Sequence, residues 1–226
     1  MIDTSTLQFL ADLRANNDRD WFEAHRDDYL AAKANVTAFA EAVTAGLNQT
    51  DVIDRYRVYR IYRDLRFTKD RTHPYKEHFD GYLYRAGAQR RGGYVFRIGT
   101  DGDSQVGGGF FGPNKEDLRR IRQELAFDCH PMEEITRHPD FGRHFGALQG
   151  EAVKTAPQGF SKDHPSITWL RRKQFYALRS FTDREVLHPN FVEQTVTTFR
   201  TLRPFFDYMS EVLTTNADGE SSSTDA

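Results

Sequence analysis

The chain has 226 residues, 38% hydrophobic and 28% charged, with a formal net charge of -2. A pI near 6.5 and that ordinary globular composition argue against a broadly basic, DNA-coating surface. One cysteine, Cys129, excludes an intrachain disulfide and suits a reducing compartment, so a cytoplasmic protein is expected.

The N-terminal stretch "MIDTSTLQFLADLRANN" lacks a basic start followed by an apolar run, so it does not read as a secretory signal. No segment approaches the roughly 18 apolar residues of a membrane span. Eighteen phenylalanines point to an aromatic-rich core.

In chain order, residues 4–15 predict a short amphipathic helix capped by Thr4 or Ser5, with Leu10 and Leu13 inward. Asn16 and Asn17 suit a turn, and Asp18 or Asp20 suits the cap of a second helix. Tyr29, Val36, Phe39, Val43 and Leu47 recur at helical spacing, which extends that helix to about Leu47.

The pattern then changes period. "DRYRVYRIYR", "GYLYRAG", "GYVFRIGT" and "SQVGGGFF" read as strands over 56–63, 81–86, 94–100 and 104–111. Their short connections favour antiparallel pairing. "GPNKEDLRRIRQEL" returns to helix, with Asn114 as cap and Leu118, Ile121 and Leu125 on one face.

Four prolines punctuate 128–165, where short helices and loops are expected, and "WLRRKQFYALRSF" has strand-like content near its end. Residues 190–213 predict an amphipathic helix that Pro204 kinks or restarts. Residues 216–226 lack apolar anchors and read as a disordered tail. The expected fold class is α+β: one domain over 1–215, mainly an antiparallel sheet covered by the N-terminal and C-terminal helices.

The densest chemistry lies in "RIYRDLRFTKDRTHPYK", Arg60 to Lys76. From Arg60 to His78 six cations (Arg60, Arg63, Arg66, Lys69, Arg71, Lys76) face three acids (Asp64, Asp70, Glu77). Arginine forks match phosphate or carboxylate oxygens, and Lys69 and Lys76 add point charges. Asp64 and Asp70 are the candidates for acid–base chemistry, and Tyr75 for a wall of the site. Arg172 and Lys173, in "WLRRKQF", form a candidate second wall or a solvated basic face. The ligand implied is a small anion, a phosphate ester or nucleotide, not a nucleic acid or a membrane.

Two other readings stand beside it. The segment is a structural lattice of ion pairs and cation–π contacts, or it is a basic groove of a non-catalytic interaction module. "GGGFFGPN" fits neither dinucleotide nor P-loop patterns and suits a tight turn or a close backbone approach. The sequence leaves the cofactor unknown, and His138, His144, Cys129 and His130 lack zinc-site spacing, so no metal is expected.

"FLADLRANNDRDWFEAHRDDY", "RDLRFTKD" with "PYK", the Gly107–Gly109 run, the helix with Leu118 and Arg122, "APQGFSKDHP" and "LRRKQF" occur in order. On these motifs the chain resembles the family called domain of unknown function 2461, found in bacteria and fungi, over nearly all its length to about residue 213. His73 looks inserted between the Lys-Asp pair and Pro-Tyr-Lys. The resemblance implies an α+β fold and no assigned reaction.

Overall fold

A change from helical spacing to alternation near residue 53 divides the chain into a helical start and a sheet. The computed structural model describes residues 1–64, 66 and 72–215. The fold is α+β, with five strands in one antiparallel sheet of order β1-β2-β3-β4-β5. The strands are β1 Ile53–Val58, β2 Phe79–Arg85, β3 Gly93–Ile98, β4 Ser104–Phe110 and β5 Phe175–Phe181. The chain forms two compact units, of which the first comprises 1–83, 95–106 and 180–197 and the second 84–94, 107–179 and 198 onward. No helix among the described residues is long and apolar enough to cross a membrane.

In the first unit α1 spans Thr4–Ala15, as expected, but its N-cap is Asp3 and the cap side chain makes no hydrogen bond. The single long helix expected next is instead two helices. Asp18 caps α2, Arg19–Ala24, by accepting from the Trp21 N–H at 2.9 Å. His25 then leaves helical geometry at φ -112°, ψ 27°, and α3 runs Arg26–Leu47. The break has a local cause, because the His25 ring stacks on Trp21 at 4.0 Å and its Nδ1–H donates to the Trp21 carbonyl at 2.8 Å.

The buried stripe of α3 packs on the sheet residues of this unit. Tyr29 stacks on Phe79, and Phe39 meets both Phe96 and Phe191. Helix α9, Phe191–Thr201, starts here, and Gly46 of α3 lies so close to Val196 that a Cβ would approach its side chain to 2.7 Å. The β3–β4 hairpin turns through Asp101 and Gly102, both at positive φ (57° and 77°), the backbone signature of a primed turn. The carboxylate of Asp183, in α8 Asp183–Val186, accepts both turn N–H groups at 3.0 Å.

β1 ends at Val58, short of the expected 63. Beyond it, among the described residues, the Tyr59 N–H donates to the Asp80 carbonyl at 2.9 Å and an isolated bridge, Tyr62 to Tyr75, continues the pairing. The partner segment contains Pro74, which has no N–H to donate, so a regular ladder cannot extend there.

The second unit is built on Tyr94, which packs against Phe199 and Phe206, while Phe110 meets Phe205 edge to face. Pro204 restarts the C-terminal helix as expected, giving α10 at Arg203–Thr214 after α9. Asn114 caps α4, Lys115–Phe127, by accepting from the Glu116 and Asp117 N–H groups. The Pro-punctuated region supplies α5 His130–Arg137 and α6 Pro139–Phe145, and α7 Ile167–Leu170 follows it.

The glycine run is a close backbone approach. A Cβ on Gly107 would stand 2.0 Å from the Ala177 carbonyl oxygen, and one on Gly109, at φ 147°, 2.4 Å from that of Phe175. The residues expected to form a tail, 216–226, lie outside the described residues.

Candidate functional site

The Arg60–Lys76 stretch is anchored from below by aromatic packing. Tyr75 is 4% exposed. Its ring stacks on Phe22 at 4.0 Å and meets Tyr62 edge-on at 5.3 Å. Its backbone is clamped by buried Asn17, whose Nδ2 donates to the Tyr75 carbonyl at 3.0 Å and whose Oδ1 accepts the Tyr75 N–H at 3.1 Å. The Asn-Asn turn is thus a fastener between the first helices and this segment. Burial, aided by Tyr62, raises the Tyr75 pKa and suits a neutral phenol. Tyr75 is accordingly a largely buried wall of the aromatic packing.

The cations of the stretch meet two different fates. Lys76 Nζ lies 3.1 Å from Asp80 Oδ2. The same Asp80 takes His78 Nε2 at 3.3 Å and Arg97 Nε at 3.0 Å. Asp103 stands 3.6 Å from His78 Nδ1 and 3.7 Å from Arg97. This lattice ties β2, β3 and the β3–β4 turn together on the half-buried side of the sheet. Burial alone raises the Asp80 pKa, but the His78 hydrogen bond and the charges of His78, Arg97 and Lys76 outweigh it, and the net shift is downward. Arg14, bonded to Glu77 at 2.9 Å and Asp101 at 2.5 Å, continues the pairing.

At the other end the side chains face solvent. Asp64 accepts from Arg66 through both carboxylate oxygens, at 2.9 Å and 2.6 Å. Those hydrogen bonds, with the Arg66 backbone N–H and the field of Arg60, lower the Asp64 pKa to about 2. Such a carboxylate is held as an anion and not poised to exchange protons near neutrality. Arg63 donates to the His73 carbonyl at 3.0 Å. Arg60 lies over the Tyr62 ring, 6.0 Å from its centroid. Among the described residues, neither Arg60 nor Arg63 has a carboxylate partner within ion-pair distance. Lys69 and Asp70 lie outside the described residues.

Arg172 and Lys173 belong to the second unit. Arg172 donates to the carbonyls of Gln149 and Leu148 at 3.3 Å and 3.2 Å and lies over the Trp169 ring. Lys173 pairs with Glu151 at 2.8 Å. Both side chains hold the 148–151 segment against the start of β5. Among the described residues, no group of three or more His, Cys, Asp or Glu is placed to hold a metal ion.

Residues 5–208 match the family described as conserved hypothetical protein DUF2461. The chain belongs to that family. The match spans α1 through the first half of α10 and so takes in both the lattice and the exposed arginines. No curated protein and no solved structure matches the chain.

His78, Asp80, Arg97 and Asp103 escaped the sequence reading. His78 and Asp80 follow directly on the basic stretch, two residues apart, which places them on one face of a strand. Arg97 and Asp103 join them only through strand pairing.

Proposed function

We propose that this member of the family binds an anionic ligand, a phosphate ester or nucleotide, at the exposed surface around Arg60, Tyr62 and Arg63. The observation that carries this reading is the contrast inside one short stretch. Lys76 and Arg66 are matched by Asp80 and Asp64, whereas Arg60 and Arg63 are exposed and lack carboxylate partners among the described residues. An unmatched guanidinium pair repels like charge and gains from an arriving anion. Tyr62, 38% exposed beneath Arg60, offers a ring for stacking.

A second reading has its own support. The patch is open, and an open basic and aromatic surface also suits an acidic peptide of a partner protein, without catalysis. The single cysteine accords with a cytoplasmic setting for either.

The test is a thermal melt of the full chain with inorganic phosphate, ATP and an oligoglutamate peptide. Phosphate or ATP is expected to raise Tm by mass action. Arg60→Ala and Arg63→Ala are each expected to remove the rise while leaving the unliganded Tm nearly unchanged. A rise with oligoglutamate alone selects the second reading. No rise with any of the three overturns both.

A further inference from the structure

We propose that the first unit carries a second, oppositely charged site: a groove between α1, α2 and the start of α3 that takes the head group of a small organic cation bearing N–H donors, an alkylammonium or guanidinium. The groove has a volume of about 220 Å³, within the size range of an amine or guanidinium head. Phe9, Trp21 and His25 wall it, and Asp12 and Asp28 line it, with no lysine or arginine among its described lining residues.

The chemistry of the walls selects the ligand. Trp21 is half-buried, stacked on His25 at 4.0 Å and 15°, with Phe9 at 6.1 Å. Stacking fixes the indole without side-chain freedom left to lose on binding. Electron-rich ring faces beside carboxylates attract cations and repel anions. The acceptors are of three kinds. Asp28 has no hydrogen-bond or ion-pair partner among the described residues. Asp12 accepts from the Gln8 amide through one oxygen at 2.9 Å and keeps the other. His25 commits Nδ1–H to the Trp21 carbonyl, and Nε2 is an acceptor in the tautomer that carries one proton, on Nδ1.

A planar or tetrahedral cation with several N–H donors meets these acceptors, whereas an anion meets two negative charges. The break between α2 and α3 stands at His25, whose ring stacks on Trp21 within the groove wall. The site is independent of the Arg60–Arg63 surface, and either stands if the other falls.

Asp28 also sits in the first turn of α3, where any acid favours the helix dipole. Asp27 shares that turn without lining the groove, so Asp27→Asn is the control that separates helix stabilisation from binding. The experiment titrates the full chain with ethylguanidinium and ethylammonium, following the Trp21 indole N–H by NMR, with propionamide as the neutral comparison. Saturable shifts are expected with both cations and not with propionamide. Asp28→Asn is expected to weaken binding about tenfold, the loss of one charge-assisted hydrogen bond, and Asp27→Asn to leave it unchanged. Absence of saturable shifts overturns the proposal. So does equal binding of propionamide, an Asp28→Asn variant that binds like the parent, or an equal loss in both variants.

Discussion

Two ends of one basic stretch, Arg60 and Lys76, are treated in opposite ways. At the Lys76 end every described cation meets a carboxylate, and Asp80 alone receives Lys76, His78 and Arg97. At the Arg60 end Arg66 pairs with Asp64, whereas the guanidinium groups of Arg60 and Arg63 rest on a tyrosine ring and a backbone carbonyl. The residue types are the same. The difference is that the Lys76 end runs into β2, whose neighbour β3 and the following turn deliver Arg97 and Asp103, while the Arg60 end leaves the ladder after Val58. A basic cluster therefore becomes a lattice where a sheet brings it acids, and Arg60 and Arg63 lack carboxylate partners among the described residues where the sheet stops.

The comparison is broken most severely from beneath. Phe22 is fully buried and packs on Tyr29, Tyr62 and Tyr75, so it supports the exposed end directly. Phe22→Ala is expected to cost about 3–5 kcal/mol in urea unfolding. A loss under about 1 kcal/mol would show that the aromatic floor collapses around the gap without consequence.

Asn17→Ala comes next. It leaves the Tyr75 N–H and carbonyl without their partner in a buried place, and about 2–3 kcal/mol is expected from the same measurement. A ligand that protects the Arg60 end should also bind this variant less well, because the clamp sets the position of the bridge between Tyr62 and Tyr75.

Asp80→Asn sharpens the contrast through pH. The folded-state pKa of Asp80 is depressed, so its contribution is fully present above the unfolded value of about 4 and is lost as pH falls toward the folded value. The variant should be less stable than the parent by about 1–3 kcal/mol at pH 7. The gap should narrow as pH drops below about 4. A gap independent of pH would mean that the side chain packs and does not pair.

The smallest effects belong to the exposed end. Arg60→Ala should change stability by no more than about 0.5 kcal/mol while removing any response to phosphate. For Asp64, NMR titration should find its carboxyl near 2. Arg66→Ala should return it toward the ordinary carboxylate value of about 4. An unshifted carboxyl in the parent would dissolve the Asp64–Arg66 pair.

The sequence by itself determined the local elements. Helical spacing set α1 and α3, alternation set β2, β3 and β4, Asn114 and Asp18 set two caps, and Pro204 set the restart of the last helix. Each depends on neighbours within a few residues, where sterics and hydrogen bonding act without the rest of the chain. The charge imbalance of the basic stretch was legible for the same reason. Which of its cations would be neutralised was not, because Arg97 and Asp103 reach Lys76, His78 and Asp80 only through strand register. The break at His25 escaped as well, since apolar spacing carries no record of a ring folding back onto the carbonyl of Trp21. Asn17 reads as a turn residue in sequence and becomes a buried clamp only once Tyr75, 58 positions away, is packed against it. Tertiary structure decided these matters because an ion pair or a buried hydrogen bond needs two partners, and the second came from elsewhere in the fold.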